Sequence, residues 1–179
     1  MRIASWGFNL VLAVVAFHLA VGPAPAAEEK KKEKKPKQVK TLRIYVEARR
    51  DLPERTLTAT LGQPAKVQFQ VEKLPILNED QLVGSSLLDV PGGYEIQLKF
   101  NSLGARVLES YTAAAVGRHL ALLTEIDGNA RWIAAPLIRQ RLGDGILRFA
   151  PDTTREEAER IAQGLAKLIE KNRKQWLSQ

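Results

Sequence analysis

Among side chains that could act as nucleophiles, bases or metal ligands, the 179-residue chain offers two histidines, its carboxylates and no cysteine. The missing thiol rules out a cysteine nucleophile, a disulfide, a thiolate metal site and a lipidated cysteine anchor. A histidine-dependent triad would need His119 as its base. His119 stands alone just before an apolar stretch, a setting that favours a structural or merely exposed side chain. Paired carboxylates could do acid–base work. Glu125 and Asp127 flank a turn signal, and Glu156, Glu157 and Glu159 crowd the start of a helix. There they complement the helix dipole and cap free N–H groups. No His or carboxylate spacing matches a metal site. Gly92-Gly93 and Gly143/Gly145 lack the following Lys-Ser/Thr of a phosphate loop and read as turns. Trp132 and Trp176 could face a partner, although core packing for Trp132 and packing along an amphipathic helix for Trp176 are the plainer readings. The sequence therefore assigns no catalytic, cofactor-binding or metal-binding residue, and the expectation is a protein that is not an enzyme. The competing reading is a hydrolase with an atypical site.

The elements that carry these residues run from Tyr94 to Leu165. Tyr94, Ile96, Leu98 and Phe100 alternate with polar residues, the period of a half-buried strand. Asn101 and Ser102 can cap the helix whose apolar positions are Leu103, Val107, Leu108 and Tyr111. Gly117 sits where a left-handed cap is wanted. An apolar strand around Leu120 and Leu122 leads to Asp127-Gly128, a hairpin turn signal, and returns through Trp132 to Ala135. Pro136 limits further pairing. Gly143-Asp144-Gly145 turns the chain into a short strand at Ile146, Leu147 and Phe149. Thr153 with Glu156, or Thr154 with Glu157, has capping-box spacing. Ile161, Leu165, Leu168 and Ile169 then form a helical apolar stripe.

Phe100-Asn101, Gly104-Ala105-Arg106, Thr112, Gly117-Arg118, Leu120-Ala121, Asp127-Gly128, Ala135-Pro136 with Ile138, Thr154, Glu156-Glu157-Ala158 and Ala162 follow one another in an order that resembles a known family. It is the head subdomain of the first periplasmic domain of the SecD/SecDF proteins, which assist protein export across the bacterial inner membrane. The match covers about Asn78 to Leu165. Two features depart from the pattern: Phe149-Ala150-Pro151 replaces the usual glycine after the short strand, and SecD's membrane-spanning bundle has no counterpart here. The resemblance implies a ferredoxin-like arrangement and a surface able to contact emerging polypeptide.

Ahead of this stretch, residues 1–26 read as a secretory signal. Arg2 supplies a thin positive region, Leu10 to Val21 is apolar apart from His18, and Ala24-Pro25-Ala26 offers small residues for cleavage. An uncleaved anchor is the alternative, for which the apolar run is short. Residues 28–40 hold seven Lys and three Glu. Of the formal +7, Arg2 carries one charge and this tract four, leaving +2 for residues 41–179. Basic residues are thus gathered in a linker rather than on a folded face with stacking aromatics, which speaks against nucleic acid. The tract reads as a solvated tether, with weak contact to anionic lipid as the sharper alternative.

Leu42, Ile44 and Val46 mark a lead strand. Leu57, Ala59 and Leu61 with Val67, Phe69 and Val71 mark a hairpin around Gly62-Gln63-Pro64. Leu74-Pro75-Ile76-Leu77 is a loop or edge, because Pro75 cannot donate to a ladder. Asn78 to Leu82 is a short helical turn, Leu87-Leu88 a short strand, and Pro91-Gly92-Gly93 a turn.

With 45% apolar residues the chain can bury a proper core. The expected fold is α+β: an antiparallel sheet covered on one face by helices at about 102–116 and 154–173. The domain reading is a signal peptide over 1–26, a charged linker over 27–40, leading strands over 41–77 and a SecD-head-like domain over 78–179. Whether the leading strands extend the sheet or form a subdomain of their own is left open by the sequence. The functional expectation is a non-enzymatic exported module, periplasmic or extracellular, that binds unfolded polypeptide or an envelope protein. A structural envelope protein is the remaining alternative.

Overall fold

The structure is a computed structural model that describes residues 39–49, 56–62 and 66–178. The signal at 1–26, the charged tract up to Gln38 and the Gln63-Pro64 turn lie outside the described residues.

Strand β1 (Val39–Val46) begins two residues inside the stretch read as linker. It is the organising strand of the molecule, flanked antiparallel by β4 (Leu77–Asn78) on one side and β7 (Leu120–Ile126) on the other. Strand β8 (Asn129–Ala134) completes a four-stranded sheet in the order β4-β1-β7-β8. The leading segment therefore divides. Its first strand enters the sheet built by the second half, whereas β2 (Thr56–Leu61) and β3 (Val67–Glu72) pair with each other as a separate hairpin. Pro75 precedes a two-residue edge strand, and the Ile76 N–H donates to the Ile44 carbonyl at 2.8 Å. An edge tolerates proline nearby because only one side of the strand needs donors.

The second sheet has three antiparallel strands in the order β5-β6-β9. They are β5 (Leu82–Val90), β6 (Gly93–Phe100) and β9 (Ile146–Phe149). The ladder is thus split among three sheets, while the α+β class and the antiparallel pairing stand as the sequence predicts. Strand β5 is nine residues long where the sequence shows only Leu87-Leu88. Gly84, Ser85 and Ser86 interrupt its apolar alternation, and pairing with β6 carries the chain through them.

Helix α1 (Ser102–Ala114) is capped by Asn101, whose side chain accepts from the Gly104 N–H at 2.8 Å. Gly117, at φ +85°, follows the end of this helix and donates its N–H to the Ile138 carbonyl. Helix α2 (Arg155–Leu177) is capped by Thr154, which accepts from the Glu157 N–H. Thr154 rather than Thr153 is thus the capping residue, and the Glu157 carboxylate meets both Arg131, 3.0 Å distant, and the Thr153 hydroxyl. Asp127 and Gly128 both adopt positive φ, as the hairpin between β7 and β8 demands. The turn between Asn78 and Leu82 is a single 3₁₀ turn, Glu79–Gln81, closed by a reciprocal capping box of Asn78 and Gln81.

The main core gathers Leu42, Ile44 and Val46 from β1, Ile96 and Leu98 from β6, Leu108 from α1, and Ile161 and Leu165 from α2. The opposite face of β1 contributes Tyr45 to a satellite cluster with Ala59, Val71 and Ala121. There Trp132 packs edge-on to Tyr45 with ring centroids 5.3 Å apart.

One buried polar residue ties α1 to the loop between β8 and β9. The Thr112 hydroxyl donates to the Leu108 carbonyl at 2.7 Å and accepts from the Leu142 N–H at 2.9 Å. Thr112→Val keeps the shape but strands the Leu142 donor, so a loss of about 1–3 kcal/mol is expected in urea unfolding. A change within experimental error would mean that water replaces the hydroxyl.

Candidate functional site

The residues with chemical capacity are dispersed. His119 meets one carboxylate, that of Glu47, with Nδ1 and Oε2 2.6 Å apart. The same oxygen accepts from the His119 backbone N–H at 3.0 Å. Arg118 donates to the Glu47 carbonyl at 2.9 Å and lies 3.6 Å from Glu72, while the Phe69 ring stacks obliquely on the imidazole. These contacts fasten the end of β1 to β3 and to the start of β7. One backbone N–H, that of His119, shares Glu47 Oε2 with the imidazole, and the second acid nearby, Glu72, faces Arg118. Glu47 reads in the sequence only as the polar side of a strand, and nothing local pairs it with His119, 72 positions away.

The other carboxylates singled out in the sequence serve local structure. Glu125 lies 3.8 Å from Lys40, and Glu159 accepts from Gln163 on the next helical turn. Glu156 caps: its own backbone N–H and the Thr154 hydroxyl hold its carboxyl below the usual range. The bond from Arg155 likewise holds Asp89 low. Among the described residues no group of three or more His, Cys, Asp or Glu is placed to hold a metal.

Three open clefts stand out among the described residues as places where something could bind. One, of about 600 Å³, lies between the β2–β3 hairpin, β8 and the start of α2. Part of its charged lining is engaged, Arg131 with Glu157 and Asp152 with the Gly62 N–H, while Lys66 also faces it. A second, of about 490 Å³, lies under the loop between β8 and β9 and includes Leu137, Ile138 and Arg139. The third, also about 490 Å³, is a groove between the first residues of β5 and the second half of α2.

Packing explains that third groove. Helix α2 runs antiparallel to β5: Arg155 at its start pairs with Asp89 near the strand's end, and its later residues face Leu82 to Ser85. The apolar stripe of α2 passes from Leu165, fully buried, through Ile169, half-buried, to Trp176. Trp176 is 72% exposed and Val83 opposite it 56%. The stripe therefore extends past the part of the sheet that fills against it. Trp176 is not packed along the helix, as the plainer sequence reading has it, but stands at the groove's lip. Trp132, by contrast, is half-buried against Tyr45. Val83 and Ser85 carry no sequence signal for such a role.

The profile of the family described as SecDF, P1 head subdomain, matches residues 54–167. The fold is similar to a solved structure of the membrane component SecDF that enhances protein export, with 22% identity and a TM-score of 0.51 over 72% of this chain and 63% of that one. It is likewise similar to SecDF in its super-membrane-facing form, with 22% identity and a TM-score of 0.50 over 70% of this chain and 18% of that one. The chain thus spans less than two thirds of either structure. No curated protein matches it. Among the described residues no helix is long and apolar enough to cross a membrane. The run of marks from Phe100-Asn101 to Ala162, the antiparallel α+β architecture and the match over 54–167 place this chain in the SecDF P1 head subdomain family.

Proposed function

We propose that this domain is a non-enzymatic polypeptide-binding module of protein export, working on the far side of the membrane from the cytoplasm. Family membership supports the link to export, and the similar SecDF structure is of a component that enhances it. The Ala24-Pro25-Ala26 cleavage signal and the apolar run before it support the location. The single observation that carries the reading is the unfilled groove between β5 and α2, where Val83 and Trp176 leave apolar surface exposed. Large aromatic side chains exposed beside a groove are characteristic of surfaces that bind another chain. Around His119, Glu47 Oε2 is shared by the imidazole and the His119 backbone N–H, an arrangement that fastens β1 to β7.

Fluorescence anisotropy with labelled unfolded peptides tests this. Binding is expected at roughly tens of micromolar, about −6 to −7 kcal/mol. If neither unfolded peptide nor envelope protein associates in that range, the reading falls. Hydrolytic activity that disappears on His119→Ala with the fold intact would favour an enzyme instead.

A further inference from the structure

Resting on that reading, we infer that the groove receives its guest as an added β-strand: an extended segment carrying a basic residue, paired along the open edge of β5. Four observations meet there.

First, β5 is the terminal strand of its sheet. It pairs with β6 from Leu82 opposite Phe100 to Val90 opposite Gly93. Among the described residues no other backbone group bonds to Val83–Val90. In an antiparallel ladder alternate residues turn both N–H and C=O away from the partner, so β5 presents a row of unpaired donors and acceptors. After an irregularity at Val83, the register from Gly84 to Val90 runs without interruption.

Second, the edge carries little charge of its own. Natural edges are blunted by lysine, inward charges, proline, strong bulges or a covering helix. Strand β5 holds no lysine and no proline, and its one charged residue, Asp89, is engaged by Arg155 at the far end. What flanks it is the stem of Lys99 beside Gly84 and helix α2 packed against the strand.

Third, the Ser85 hydroxyl lines the groove, is buried and has no hydrogen-bond partner. Buried hydroxyls are rarely left so, and polar capacity is thus unused beside the edge.

Fourth, the charge is one-sided. Glu79, Asp80 and Glu170 line the groove against a single cation, Arg173. Neither Asp80 nor Glu170 is in an ion pair among the described residues. A guest with a lysine or arginine is favoured over an acidic one. Strand addition of this kind draws affinity from the main chain and selectivity from alternate side chains. It would therefore accept many sequences provided they are extended.

Backbone methylation separates this mode from simple apolar contact. The probe is a fluorescein-labelled decapeptide of alternating Val and Thr with one Lys, whose alternation fixes which face meets the protein. It is compared with two versions N-methylated on the odd or on the even amides. One methylated set is expected to bind at least about tenfold more weakly, the equivalent of about 1.4 kcal/mol, while the other stays within about threefold. Trp176→Ala, on an exposed side chain, should weaken the parent peptide by about fivefold or more, and Glu170→Lys should weaken the Lys peptide more than a Lys→Gln peptide. Equal tolerance of both methylated sets would overturn strand addition while leaving polypeptide binding intact. So would unfolded peptides that bind while the decapeptide does not. If no peptide binds at all, the proposed function itself fails. Dimerisation of the protein at the micromolar concentrations used, lost in Ser86→Pro, would assign the edge to a second copy and overturn the inference.

Discussion

Replacing Leu165 with alanine is expected to destabilise the domain by about 3 kcal/mol, within the 2–5 kcal/mol range of buried leucine truncations. Leu165 is fully buried and sits on the stripe of α2 that meets the main core. It packs where the four-stranded and three-stranded sheets share one hydrophobic interior, so neither sheet can close over the space without the other moving. A cavity there would stay largely open, which puts the cost in the middle of the range rather than at its floor. Leu168, only half-buried on the same helix, should cost distinctly less. Equilibrium urea unfolding with an unchanged m-value is the measurement. A Leu165→Ala loss under about 1 kcal/mol would mean that α2 does not bind the two sheets together. Because the same helix forms one wall of the groove, Leu165→Ala should also weaken peptide binding without touching a groove residue.

Gly145→Ala should cost about 2–4 kcal/mol, from two sources that a control separates. Gly145 has φ +68°, where an L side chain is strained by about 1–2 kcal/mol. A Cβ there would also stand 2.8 Å from the Cβ of Ala105 on α1. The backbone cannot easily withdraw, because the Gly145 carbonyl accepts from the Phe100 N–H at 2.9 Å. Gly128→Ala in the β7–β8 turn has the same backbone penalty, at φ +83°, but open space around the new methyl. The difference between the two variants therefore reads the contact alone. If they are equally destabilised, Ala105 does not press on the turn. The pairing of Gly104-Ala105 with a glycine forty residues later then needs another explanation.

Much of this chain was legible locally. Period-two alternation located β1, β2, β3 and β6, since a half-buried strand must alternate, and a dense apolar run located β7. Asn101 and the pair Thr153-Thr154 marked their helix starts because short oxygen-bearing side chains satisfy free N–H groups there, and the structure chooses Thr154 of the pair. Asp127-Gly128 marked its turn because both residues must reach positive φ. The same marks, in order, suggest the family from the sequence alone. The length of β5 is not legible in the sequence because Gly84-Ser85-Ser86 carries no apolar period and pairing with β6 imposes it.

The sequence by itself determined the element types, the caps, the turns and the likeness to the SecDF head, for these depend on neighbours within a few residues. Only the tertiary structure decided that β1 lies between β4 and β7, that the strands divide among three sheets, that Glu47 clasps His119, and that Trp176 stands exposed over the unpaired edge of β5. Each of these is a matter of which distant surfaces meet. A residue's own period says which face it turns inward, but an open edge or an unfilled groove exists only where a partner element is missing.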